Sequence, residues 1–533
     1  MHRLDPSYMR KPDYLRLLAL SLLPLLTIFG LIAFNHARGP FYFQYNQDPD
    51  YCYLLNGLGI LNGFEPAHTD HPGTTLQYFI AGVLYASEPG LSTAQRTNAI
   101  LANPEHYLSL CSFALEFMVV ISLLLLGYVA LRCSDRLDIA LLAQSGPLLF
   151  AEIPLSGSRV YPEALSISIC NLLICGFLAI YFAARQPSRR FTGLIVFLGF
   201  LSALLVDTKM LAAPFVITFF LVAVRLRAAL AFTASFAITL LALLILIRSR
   251  LLAIWEWIVA NATHSERYGH GSPGFISRMD FLHNAIGVFS AQINLTILLI
   301  LSAAVAIIGY FLRRSARACN IWHLSALLIA YPIALIFVFK SPAQHYLIVP
   351  FCFGPLLLIL IHHSTGELLR DYRVARTIIT AGLPLAVLIV GTASLRTSHR
   401  QMLAARSAAT GAIASMQKEP QAAAIYTYRA STQEYALAFG NIYAGYRFTH
   451  PLQQLYPKAI DYNPWGMTLS RFDYSTQLGS FPKADKYYLL GTMATDATAR
   501  AVGQLLFARF SVHAIENIGG ERMVLLESEP ATK

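Results

Sequence analysis

The stretch YLRLLALSLLPLLTIFGLIAF, residues 14–34, runs directly into NHARGPFYFQYNQDPDYCY, residues 35–53. A bilayer core takes about 20 mostly apolar residues per helix, so the first part is long enough to span one. Arg3, Arg10, Lys11 and Arg16 stand at its head, and Asn35, His36, Ala37 and Arg38 form no small-residue cleavage site. The run therefore reads as an anchor helix and not as a removable signal peptide. The second part places Asp48 and Asp50 in an otherwise aromatic, apolar segment, where a carboxylate is costly without a partner or a task.

The rest of the chain repeats the first pattern. Of 533 residues, 56% are hydrophobic and 13% charged, against roughly 25% charged in a soluble domain. Mean hydropathy is +0.53. These values exclude a soluble globular protein. Further apolar runs lie at 107–131, 137–155, 162–184, 191–207, 210–224, 228–247, 286–311, 321–339, 346–363 and 377–395, so about 11 transmembrane helices are expected in an all-α polytopic body. The shortest-looking spans are 137–155 and 210–224, which Pro147, Glu152 and Pro214 interrupt.

Basic clusters follow every second crossing: Arg132 and Arg136; Arg185, Arg189 and Arg190; Arg225 and Arg227; Arg313, Arg314 and Arg317; Arg370, Arg373 and Arg376. By the positive-inside rule the N-terminus is then cytoplasmic and everything from about residue 396 lies outside. With the N-terminal group, these six segments carry the whole formal net charge of +11, leaving the remainder neutral. The charge marks membrane orientation, and no basic-aromatic cluster supports a nucleic-acid partner.

Three long segments fall on the outer side: 35–106, 248–285 and 396–533. Two parts are expected, a membrane body over 1–395 and a C-terminal extracytoplasmic α/β domain over 396–533. In the latter, residues 402–416 and 432–445 read as helices, and 424–429, 487–490 and 522–527 as strands. Within the first long segment TTLQYFIAGVLYAS, residues 74–87, is too short to span and suits a helix lying along the membrane surface. Of seven cysteines only Cys52 falls clearly outside, so no external disulfide framework is expected.

Four further elements carry chemistry-bearing residues on the same outer face. They are His68-Thr69-Asp70-His71-Pro72-Gly73, Arg159-Val160-Tyr161-Pro162-Glu163, Asp207-Thr208-Lys209 with Pro214 beyond, and Lys340-Ser341-Pro342-Ala343-Gln344-His345-Tyr346-Leu347-Ile348-Val349-Pro350. Together with the Asp48/Asp50 segment they resemble the polyprenyl-phosphate-sugar-dependent glycosyltransferases of the GT-C fold, particularly the protein O-mannosyltransferases and aminoarabinose transferases. In that family a first-loop Asp is followed by aromatic residues, a Gly and a Lys-Pro-Pro-like turn; here Asp48 is followed by Gly63 and by Asp70-His71-Pro72-Gly73.

The resemblance implies an inner-membrane glycosyltransferase with an inverting mechanism. It implies a sugar donor linked to polyprenyl phosphate and a lipid, glycan or protein acceptor at the outer face. Asp48, with Asp50 as the near alternative, is the expected base, and Glu163 assists. Lys209, Lys340, His345, His71 and Arg159 are expected to receive the phosphate charge.

The residues also admit plainer readings. Arg159 and Glu163, four apart on a helix, suit a structural ion pair. Lys209 and Lys340 at helix ends suit snorkelling to the interface, and His345 with Tyr346 suits interfacial anchoring. His68, Asp70 and His71 offer ligands for a divalent metal, although the sequence places no fourth, and no other cofactor is indicated. No Gly-rich phosphate loop, CxxC pair or HExxH occurs. A transporter or flippase of lipid-linked sugars is the alternative reading, and it requires charges at mid-membrane depth; Glu116 and Glu152 are the only plausible acids there.

Overall fold

In a computed structural model of the chain, the described residues are 14–43, 46–69, 73–183, 189–222, 226–311, 318–368, 373–416, 423–463, 467–473, 484, 486–506, 510–518 and 521–528. Asp70, His71 and the basic residues Arg3, Arg10, Lys11, Arg185, Arg225, Arg313, Arg314, Arg317 and Arg370 lie outside them. The chain divides into two compact units. One comprises Met1–Ile32, Thr69–Thr75 and Leu115–Ser398; the other comprises Ala33–His68, Leu76–Ala114 and His399–Lys533.

The first unit is a helical bundle. Among the described residues of the whole chain, seven helices are long and apolar enough to cross a membrane: Tyr14–Arg38, Pro104–Ser134, Pro162–Phe182, Leu226–Ile245, Ile293–Phe311, Ile321–Lys340 and Gln344–Gly366. Shorter apolar helices cover Thr192–Thr208 and Met210–Leu221. Gln344–Gly366 is almost wholly buried and Leu226–Ile245 almost wholly exposed, although both are apolar. Ile238 is 69% and Leu241 60% exposed on the latter. Water would penalise such a surface heavily, whereas lipid tails solvate it without cost, and the chain is an integral membrane protein.

Packing inside this unit is aromatic and close. Phe215 stacks on Phe353 at 4.8 Å and Phe150 on Phe351 at 4.4 Å, while the Tyr331 hydroxyl donates to the Pro350 carbonyl at 2.9 Å. Where Arg189–Thr208 crosses Leu226–Ile245, a Cβ on Gly199 would sit 2.5 Å from the Phe232 carbonyl oxygen. Only glycine permits that approach, the usual device for joining helices in lipid, where no hydrophobic effect draws them together.

The expected crossing at 137–155 is corrected. It forms three short helices, Leu137–Ala143, Gly146–Leu149 and Glu152–Gly157, none of them long enough to span. Pro147 and Pro154 sit in the first turns of the second and third helices, where a missing N–H starts a helix and does not continue one, and Phe150 between them is extended at φ −132° and ψ 111°; hydropathy averaged over the window conceals this. The run at 286–311 likewise divides at Gln292 into Arg278–Ala291 and Ile293–Phe311.

In the second unit the C-terminal part forms a six-stranded sheet in the order β3-β2-β1-β4-β6-β5. Its strands are β1 (Ala423–Tyr426), β2 (Ile460–Asn463), β3 (Thr468–Ser470), β4 (Lys486–Gly491), β5 (Phe510–Ile518) and β6 (Glu521–Ser528). β1 runs parallel to both β2 and β4, and the remaining pairs are antiparallel. Ile425, Ile460, Leu489, Val502, Val524 and Leu526 form its core with the amphipathic helix Asp496–Leu505. The first long segment contributes helices Gln47–Leu61 and Thr93–Ala102 to this unit, neither of them expected from sequence.

Candidate active site

In the first unit, four separate stretches of sequence meet around Lys209. Helix Arg189–Thr208 ends just before it, and Lys209 itself is extended, at φ −151° and ψ 99°, its amide still donating to the Leu205 carbonyl at 2.8 Å. That backbone turn directs a lysine out of the helix line, between Asp207-Thr208 and the apolar Met210–Ala212 turn. Its ammonium pairs with the carboxylate of Glu163, in the first turn of helix Pro162–Ala183, and both side chains are buried. The ammonium also lies 5.0 Å from the centre of the Tyr346 ring, a cation–π contact. His345 is exposed beside Tyr346, the two rings 4.2 Å apart.

Two residues before Lys209, the fully buried Asp207 anchors the fourth stretch. Its Oδ2 accepts from the Thr75 amide at 2.8 Å and the Thr75 hydroxyl at 2.6 Å, and its carbonyl accepts from the Gly73 amide at 2.8 Å. Gly73, at φ +66°, occupies the left-handed region that favours glycine, and this lets the chain turn into helix Thr74–Ser87. The end of the 68–73 element is thus tied to the Asp207–Lys209 element. The site roles of Asp207, Thr75 and Tyr346 were not expected from sequence. An acid closing an apolar helix two residues before a lysine was the available signal.

Arg159 sits with its guanidinium 4.7 Å from the Tyr161 ring centre, at the entry to the Glu163 helix. Lys340 is engaged elsewhere in the unit. Its ammonium donates to the carbonyls of Asn261 and, at 2.6 Å, His264, where helix Leu251–Thr263 ends, and lies 4.8 Å from the Phe275 ring. A cation there satisfies carbonyls that the helix leaves unpaired and opposes its dipole. Beside Lys209 in sequence, Val206, Ala213, Ile217, Phe220, Phe232 and Phe236 line an apolar recess of about 270 Å³.

The two candidate bases belong to the second unit. Helix Gln47–Leu61 is buried at eleven of its fifteen residues, Asp50 among them at 0% exposure. Asp48 departs from this: it is exposed, and its backbone is non-helical at φ −101° and ψ 123°. The Tyr51 hydroxyl donates to Glu105 at 2.7 Å, and the same carboxylate accepts from the Phe41 amide at 2.8 Å. His68 is buried edge-on between Tyr53, at 5.3 Å, and Tyr443, at 5.0 Å. Among the described residues no three His, Cys, Asp or Glu side chains cluster as metal ligands; Asp70 and His71 are outside that set.

No protein-family model and no curated protein matches the chain. Among solved structures it is similar to ArnT from Cupriavidus metallidurans bound to undecaprenyl phosphate, with a TM-score of 0.49 and 13% identity over 96% of this chain and 98% of that one. It is also similar to the Archaeoglobus fulgidus oligosaccharyltransferase tethered to an acceptor peptide, with a TM-score of 0.41 and 13% identity over 95% of this chain and 70% of that one.

Proposed function

We propose that this protein is an integral-membrane glycosyltransferase that takes a sugar from a polyprenyl-phosphate carrier and transfers it, with inversion, to an acceptor hydroxyl at the outer face of the membrane. The observation that carries this reading is the meeting of Gly73, Glu163, Asp207–Lys209 and Tyr346 in one unit. These stretches were singled out from sequence for the chemistry of a phosphate leaving group. A buried lysine paired with a carboxylate, and flanked in sequence by an apolar recess, suits an anionic headgroup on an isoprenoid chain.

Asp48 is the proposed base, because its exposure leaves it open to an acceptor while Asp50 is enclosed. In the reaction the acceptor hydroxyl gives its proton to the Asp48 carboxylate, and its oxygen bonds to the anomeric carbon. The carbon–oxygen bond to phosphate breaks as this happens, and polyprenyl phosphate leaves with the electron pair. A single carboxylate with direct displacement inverts the anomeric centre. Lys209, Arg159 and His345 are proposed as the phosphate contacts, and Glu163 as the ion-pair partner that holds Lys209 in place.

The test is transfer by the purified protein from a panel of polyprenyl-phosphate sugars, comparing wild type with Asp48→Asn, Asp50→Asn and Lys209→Met. Loss of about 10²-fold or more in kcat for Asp48→Asn supports the reading. Full activity in Asp48→Asn and Asp50→Asn together would refute the proposed base.

A further inference from the structure

Helix Gln47–Leu61, which carries Asp48, is held by the C-terminal domain at three places along its length. At its head the buried Gln47 amide donates to the Tyr42 carbonyl at 2.7 Å and to the Ala430 carbonyl in the loop after β1. In its middle, Gly440 of helix Gln433–Tyr443 lies against Tyr51 so closely that a Cβ would stand 2.8 Å from the Tyr51 carbonyl oxygen. Farther on, the Asn56 amide donates to the Tyr443 carbonyl at 3.1 Å, while its carbonyl oxygen accepts from the amides of Ala67 and His68.

The loop that receives Gln47 is itself braced. Thr427 donates through its amide to the Leu490 carbonyl at 2.6 Å, and the Thr492 amide donates to the Tyr428 carbonyl at 2.9 Å, so the loop is tied to β4 and the residue just past it. The Ser431 amide donates at 2.7 Å to Oε1 of Glu521, which opens β6 on the other side of β4 and is 1% exposed. Rigid strands therefore hold Ala430, and Ala430 holds the residue immediately before Asp48.

We propose that the C-terminal domain is part of the catalytic apparatus, fixing the geometry of Asp48 through Gln47 and Gly440 as positioning residues. This rests on the function proposed above. The domain's contribution follows from the sensitivity of transfer to the placement of a base: a misplacement of about 1 Å costs on the order of 10²-fold in rate. Neither Gln47 nor Gly440 need touch the substrate, so their loss slows the chemical step and leaves donor affinity alone.

The experiment uses full-length protein in detergent or nanodiscs, with Gln47→Leu, Gly440→Ala and, in the same helix Gln433–Tyr443, Phe439→Leu as a packing control. Hydrogen exchange of the 47–55 backbone is read alongside kcat, donor KM and the pH profile of kcat. The expected result is faster exchange at 47–55 in Gln47→Leu and Gly440→Ala, with kcat down roughly tenfold or more. Donor KM stays within about twofold, and the acidic limb of the pH profile moves because the environment of Asp48 has changed. Phe439→Leu leaves the pH profile in place. Unchanged exchange at 47–55, or a donor KM rising in step with the fall in kcat, would overturn the proposal. If the wild type transfers no sugar the glycosyltransferase reading fails, and the exchange measurement still decides whether the domain holds this helix.

Discussion

Lys209 and Glu163 are 46 residues apart in sequence and form an ion pair with both side chains enclosed. Taking two charges out of water is expensive, and the pair is retained because each charge satisfies the other. Removing one partner strands the other. Lys209→Met or Glu163→Leu alone is therefore expected to destabilise the protein by about 3–5 kcal/mol, whereas the two together recover most of that loss. Thermal unfolding in detergent reads the double-mutant cycle, and an additive pair of losses would contradict the coupling. Transfer is expected to be lost in all three variants, because stability and phosphate binding are separate demands on the same lysine.

Thr75 gives Asp207 two hydrogen bonds, one from its amide and one from its hydroxyl. Thr75→Val keeps shape and amide but deletes the hydroxyl, leaving the buried carboxylate under-solvated. The expected cost is about 1–3 kcal/mol. Because Asp207 is two residues from Lys209, donor KM should also rise while the proton-transfer limb of the pH profile stays in place. Unfolding and KM measured on the same preparation check both parts, and an unchanged KM would separate the 73–75 turn from donor binding.

Glu521 has its pKa raised above the ordinary carboxylate range, burial being the main cause and the bonds from Ser431 opposing it. A carboxyl whose folded pKa lies above its unfolded value of about 4.3 holds its proton more tightly when folded. Its contribution is thus most favourable at low pH and is lost as pH rises through the folded pKa. Protection of the 430–432 amides, corrected for intrinsic exchange, should fall from pH 5 to pH 8. Glu521→Gln, which can still accept from Ser431, should flatten that slope and raise protection at pH 8. A slope unaltered in Glu521→Gln would assign it to other groups.

Gly199 faces the Phe232 carbonyl across the crossing of Arg189–Thr208 and Leu226–Ile245, and the Ser235 hydroxyl donates to Val196 at 2.7 Å in the same crossing. Gly199→Leu must push the helices apart and is expected to destabilise by about 1–3 kcal/mol. Gly193→Leu, on the same helix with open space around its Cα, should be close to neutral. The two midpoints of thermal unfolding make the comparison, and equal shifts would remove the case for close approach.

The outcomes for particular elements follow physical lines. Seven of the eleven apolar runs gave helices long and apolar enough to cross a membrane among the described residues, because hydropathy is a sum over neighbouring residues and needs no knowledge of distant chain. Run 137–155 is apolar too, but Pro147 and Pro154, each in the first turn of a new short helix, and the extended Phe150 between them decide its path. Helix Gln47–Leu61 escaped notice because it is buried nearly all round and so lacks an amphipathic stripe, and because Pro49, Gly57 and Gly59 suggest a loop. Helix Thr93–Ala102 was equally unexpected, although Ser92 and Gln95 form a capping box at its start. Strands β2 and β3, four and three residues long, are too short for any alternation to register.

Sequence alone determined that the chain lives in a membrane, that its C-terminal part mixes helix and strand, and which residue types were available for phosphate and proton chemistry. These follow from solvation and local backbone preference, which act residue by residue. Only the tertiary structure decided that Glu163 holds Lys209, that Asp207 holds Thr75, and that Gln47 reaches Ala430, 383 residues away. Such pairings are long-range: folding first removes the chain entropy separating the two groups, and a buried charge or amide then takes whichever partner the packing delivers.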